Sequence, residues 1–71
     1  MEKQSIKRTR IILGKTQKEV ADEIGVHVQT YAKIEHNPEI ATISQAKRIA
    51  KALNTSIDKI FFLSINSTLS R

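Results

Sequence analysis

The side chains of this chain that can do chemistry are amides, hydroxyls, imidazoles and fixed charges, and their spacing suits holding a ligand rather than breaking a bond. There is no carboxylate pair, nucleophile with its base, or glycine-rich phosphate loop, so no enzymatic activity is expected. His27 and His36 have no further ligands near them in the sequence, and there is no cysteine, so neither a metal nor any other cofactor is expected. The residues that stand out are His27, Val28, Gln29, Thr30 and Lys33. Carried on one helix, they would offer donors, acceptors and positive charge from one end of it. Gln17 precedes this run and Asn37 follows it.

The 71 residues hold 12 Lys and Arg against 7 Asp and Glu, a formal net charge of +5. Lys3, Lys7, Arg8, Arg10, Lys15 and Lys18 all precede residue 19, where the only acid is Glu2; Glu19, Asp22 and Glu23 then follow. Charge polarised in this way suits a surface that faces a polyanion. No stretch is long and apolar enough to span a bilayer, and Met1-Glu2-Lys3-Gln4 has no apolar run behind its charges. No membrane partner and a cytoplasmic location are therefore expected. The length implies a single domain over 1–71, with a core over about 5–63 and a tail over 64–71 that frays or joins a dimer interface. A core this small is marginal, so a dimer would add stability.

These residues must be positioned by short helices with tight joints, since no run alternates as a strand does. Ser5 can cap a helix over Ile6 to Leu13, with Ile6 and Leu13 on one face and Gly14 at its end. Thr16 and Glu19 form a capping box for a second helix that turns Val20, Ala21 and Ile24 inward and stops at Gly25, a residue suited to the left-handed conformation. A third helix is expected over Val28 to Glu35, with Tyr31 and Ile34 inward, followed by a loop over His36 to Glu39. Thr42 and Gln45 make a second capping box, opening a helix over Ile43 to Leu53 that buries Ile43, Ala46, Ile49, Ala50 and Leu53 and is capped by Asn54. Ser56 opens a fifth helix, Ile57 to Leu63.

The segment Gln17 to Glu35 works as one unit. Ala21 admits a close approach, Gly25 permits a sharp turn, Val26 fills the angle, and Ile24 with Ile34 closes the inside. His27, Val28, Gln29, Thr30, Ala32 and Lys33 are then free of core duty. A helix held outward by its N-terminal end has the right width for the major groove of B-DNA. Arg10, on the inner side of the first helix, needs a partner or must reach out to phosphate, because an unpaired buried charge is costly.

Thr16 through Glu35, with Ile49 through Asp58 downstream, resembles the lambdoid-phage Cro and repressor family of helix-turn-helix regulators, over about Ile6 to Phe62 without gaps. The resemblance implies an all-α fold: a compact five-helix lambda-repressor-like DNA-binding domain whose second and third helices form the helix-turn-helix. It implies that Gln17 contacts the phosphate backbone or orients the recognition helix, and that Val28, Gln29 and Lys33 face bases. There Gln29 would bond adenine or donate to guanine, or else be a solvated surface amide; Val28 would press on a thymine methyl or pack against a neighbouring element; and Lys33 would reach guanine or phosphate or remain a plain surface charge. Thr30 lies on the same outward run. It further implies that Arg10 and Glu35 form an internal salt bridge.

The chain departs from the family at several positions. His27 stands where Ser or Thr usually caps the helix; histidine caps less well, so its ring is expected to face phosphate or solvent. Asn37 replaces a common glycine; it tolerates the left-handed conformation, which would leave its backbone N–H for a phosphate. Pro38-Glu39-Ile40-Ala41 is not basic, and Thr9 replaces a usual leucine. Ile11, Ile12, Ile40, Phe61, Phe62 and Ile65 exceed what one small core needs, and a dimer interface is expected around helix five and the tail, with Phe61 in the core. The function expected from the resemblance is a homodimeric repressor on a palindromic DNA operator. The rival reading is a protein-binding module with a protein partner, such as an antitoxin or antirepressor; a restriction-modification controller is a variant of the first.

Overall fold

The computed structural model describes residues 5–61. The expectations for Leu63, for the apolar Phe62 and Ile65 and for the tail 64–71 lie outside the described residues, as do the charges of Glu2 and Lys3. Five helices and one 3-10 turn follow in order, with no strand among the described residues: α1 Ile6–Ile12, α2 Gln17–Ile24, α3 Val28–His36, a 3-10 turn Pro38–Ile40, α4 Ile43–Ala52, and α5 over 57–61.

Local chemistry sets most of the joints. The Arg8 N–H donates to the Ser5 hydroxyl at 2.9 Å and starts α1. Gly14 follows in the left-handed region at φ +75°. Thr16 and Glu19 cap α2 reciprocally: the Glu19 N–H donates to Thr16 Oγ1 at 3.0 Å and the Thr16 N–H to Glu19 Oε1 at 2.7 Å. Thr42 and Gln45 repeat the device on α4, with both bonds at 3.0 Å. Gly25 turns α2 into α3 at φ +78°, and the Val26 N–H closes the turn on the Ala21 carbonyl. Asn54 leaves α4 at φ +57°.

The core gathers Ile6, Val20, Ala21, Ile24, Tyr31, Ile34, Ala46, Ile49, Leu53, Ile60 and Phe61, so all five helices contribute. Val26 is half-buried against it, plugging the angle between α2 and α3. Two cations tie helix ends together. Arg48 on α4 donates to the Ile24 carbonyl that ends α2, at 3.2 Å. Lys15 donates to the Ala52 carbonyl that ends α4, at 2.8 Å, and pairs with Glu23 at 3.1 Å.

Several expectations are corrected. Leu13 falls beyond the last turn of α1 as its cap and is 42% exposed, so it does not share the inner face with Ile6. Ile43 is 66% exposed, because none of the described residues covers the first turn of α4. His36 belongs to α3, and Pro38 begins a 3-10 turn rather than an irregular loop. Thr9, half-buried, satisfies its hydroxyl on the Ser5 carbonyl at 2.9 Å.

Candidate nucleic-acid interface

The site is held in place by a buried carboxylate. Glu35, at the end of α3, accepts from three elements at once. From α1, Arg10 donates through Nε at 2.5 Å to Oε2 and through Nη2 at 3.4 Å to Oε1. From α2, Gln17 donates through Nε2 at 3.0 Å. From α3 itself, the Tyr31 hydroxyl donates at 2.7 Å. The remaining Arg10 nitrogen, Nη1, donates to the Lys15 carbonyl at 2.8 Å. The paired side chains are 10% and 5% exposed, so solvent screens the pair little. Among the described residues no buried side-chain nitrogen or oxygen lacks a partner.

The electrostatics follow from this geometry. Burial pushes the Glu35 carboxyl up, but the hydrogen bonds from Arg10, Tyr31 and Gln17, with the charge of Arg10, outweigh it and hold the group below its ordinary value. The bond to Glu35 raises Arg10 against the opposing effect of burial. Burial first, then the bond to the Glu35 carboxylate, pushes the Tyr31 hydroxyl well up, so it stays protonated as a donor.

The expected Arg10–Glu35 bridge is therefore present. Tyr31 and Gln17 join it, which sequence reasoning missed. The signal for Tyr31 was available, since residues four apart on a helix are neighbours. Gln17, half-buried at the start of α2, donates its amide nitrogen to Glu35 inside the molecule.

Beyond this anchor, α3 turns its N-terminal half outward. His27, Gln29, Thr30 and Lys33 are all exposed. Val28 and Ala32 are half-buried, and Val28 packs against the core, so it is not free of core duty as expected. His27 corrects a second expectation, because it does cap α3. Its Nδ1 accepts from the Gln29 N–H at 3.2 Å, which a neutral imidazole nitrogen can do as a serine hydroxyl does. Asn37 corrects a third. Its backbone is at φ −139°, outside the left-handed region, and its N–H is already donated to the Lys33 carbonyl at 2.8 Å. Only its exposed side chain remains for a ligand.

The arrangement offers hydrogen-bonding side chains on a short helix end. No helix among the described residues is long and apolar enough to cross a membrane. Residues 6–60 match the family described as helix-turn-helix. Over 58 residues, 82% of the chain, the sequence is 36% identical to the cryptic phage CTXphi transcriptional repressor RstR of Vibrio cholerae serotype O1. The match covers 52% of that repressor, so the chain spans about half the length of this curated relative. No solved structure matches the chain. With its two central helices joined at Gly25 and locked through Glu35, the chain belongs to the helix-turn-helix family.

Proposed function

We propose that this protein is a transcriptional repressor that binds a specific DNA operator as a homodimer, in the cytoplasm and without a cofactor. The observation that carries the reading is the outward edge of α3: His27, Gln29, Thr30 and Lys33 are exposed while the helix behind them is fixed to α1 and α2 through Glu35. A reading helix must be presented rigidly, since a base contact is worth energy only at hydrogen-bond distance and angle. The similarity to a phage repressor supports the regulatory half of the proposal.

In this reading α3 enters the major groove by its N-terminal end. Gln29 reads a base edge through its amide, and adenine offers the matching donor and acceptor pair. Val28 adds a methyl contact with the part of its side chain that the core leaves open. Thr30 and Lys33 reach base edges or phosphates. His27 contributes its ring beside the first phosphate while its Nδ1 holds the cap. Gln17 acts mainly by fixing Glu35, with the first turn of α2 near phosphate. Asn37 reaches a phosphate by its side chain only. Two protomers would set their recognition helices about 34 Å apart, matching one turn of DNA. Repression would follow when the occupied operator excludes polymerase.

The test is a gel-shift titration with sites selected from random DNA, comparing the wild type with Gln29→Ala. The variant should lose discrimination at one base position. Unchanged sequence preference would remove α3 as the reader.

A further inference from the structure

Helix α1 has two faces, and among the described residues only one is packed against the rest of the fold. Its inner face buries Ile6 and Arg10. Its outer face presents Lys7 and Arg8 on the first turns and Ile11 and Ile12 on the last. Positions 7 and 11, and 8 and 12, are one helical turn apart, so the four side chains form two parallel rows, each a cation followed by an isoleucine. Ile12 is 71% exposed and Ile11 56%, and Leu13 continues the apolar patch beyond the helix end. Ser5, Lys7, Arg8, Ile11 and Ile12 line a shallow open groove along this face. Contiguous exposed apolar side chains of this kind mark interaction sites more often than scattered ones do.

We infer that the outer face of α1 is a docking surface for an acidic, apolar segment of a partner protein, with apolar side chains on Ile11 and Ile12 and carboxylates on Lys7 and Arg8. Charge selects the occupant. The helix carries no acid, and neither Lys7 nor Arg8 has an ion-pair partner among the described residues. Arg10, the third cation of α1, is by contrast turned inward and fully engaged. A complementary ligand therefore places two carboxylates against the first turns and an apolar pair against the last. The order of cation and isoleucine fixes its direction along the helix. A second copy of the chain is a poor occupant, because the face would bring its own cations as partners. A bilayer is also a poor one, since a helix of seven residues with two or three apolar side chains inserts too little surface. The inference is independent of what α3 binds.

The probe is a phage-displayed library of random peptides, selected against the full chain. Selected peptides should carry an apolar pair and flanking Asp or Glu. They should shift the backbone amide resonances of 7–13, and bind at least tenfold more weakly to the Ile11→Ser/Ile12→Ser and Lys7→Ser/Arg8→Ser variants. Thermal melting should show both variants folded, as replacement of exposed side chains predicts. No enriched acidic motif, or motif peptides that bind both variants as well as the wild type, overturns the inference. Three other results also overturn it by giving the face to another occupant. One is dissociation of a dimer by Ile11→Ser/Ile12→Ser in sedimentation. The second is a loss of DNA affinity in Lys7→Ser/Arg8→Ser beyond the loss of two charges. The third is α1-dependent binding to phosphatidylglycerol vesicles.

Discussion

Replacing Glu35 by glutamine keeps the shape of the side chain and removes its charge. The carboxylate accepts from Arg10, Gln17 and Tyr31, using both oxygens. The amide has a single acceptor oxygen, so its NH2 must face at least one of these donors. Arg10 meanwhile stays 9% exposed with no counter-charge. Breaking a buried pair by removing one partner costs about 3–5 kcal/mol. Retention of one acceptor and of the Arg10 bond to the Lys15 carbonyl argues for the lower end, about 3 kcal/mol. A domain of 71 residues has roughly 4–10 kcal/mol in all, so the variant should sit close to unfolding. Its melting midpoint should fall by roughly 12–24 °C. Urea unfolding followed by circular dichroism reads this directly. The pH dependence gives a second check with a definite sign. The Glu35 carboxyl is held below its ordinary value in the folded chain, so its contribution is present above the unfolded value, about 4.3, and lost as the pH falls through the folded one. The wild type should lose stability on that acid limb more steeply than Glu35→Gln. A cost under about 1 kcal/mol, or parallel acid limbs, would show that the cluster is not what joins α1, α2 and α3.

Three further outcomes are expected. Gly25→Ala should destabilise by about 1–2 kcal/mol in a urea titration, because the residue sits at φ +78°. The added methyl group meets only Arg48 Nη1 at 3.9 Å, so no steric cost adds to that. His27→Ala should cost about 0.5–2 kcal/mol through loss of the cap, while His27→Ser should restore most of it; equal melting of all three proteins would show that Nδ1 does not cap α3. Gln29→Ala should leave the melting midpoint nearly unchanged and lower discrimination between the operator and a mismatched site by about 1–3 kcal/mol in gel shifts.

The parts of this fold that were legible in the sequence are those set by local rules. Thr16 with Glu19, Thr42 with Gln45, and Gly25 each declare a helix end from residues within a few positions, and each stands as expected. The bridge between Arg10 and Glu35 spans 25 positions, and only the resemblance to a known family pointed to it. Gln17 joined that cluster unforeseen because its partner depends on how α2 crosses α3, which no spacing in sequence encodes. The inward ring of Tyr31 follows from helical periodicity, but the partner of its hydroxyl does not. The exposure of Ile43 is not legible from helical periodicity, which says which way a side chain points, not whether another element lies there. Ranking caps by residue type overlooks what the well-placed ring nitrogen of His27 can accept. Asn37 shows the same limit for the backbone: its tolerance of the left-handed region was real, but the bond to the Lys33 carbonyl holds it elsewhere.

In the proposed function the outward edge of α3 reads DNA sequence. Selection of binding sites from random DNA by the purified chain tests it most directly. A reading helix of this kind should enrich a roughly palindromic site with half-sites one helical turn apart, about 10 base pairs, and bind it with an affinity that falls steeply with salt. Recovery of no shared sequence, with binding equally salt-dependent on every DNA, would contradict it and leave only the attraction of a basic surface for phosphate.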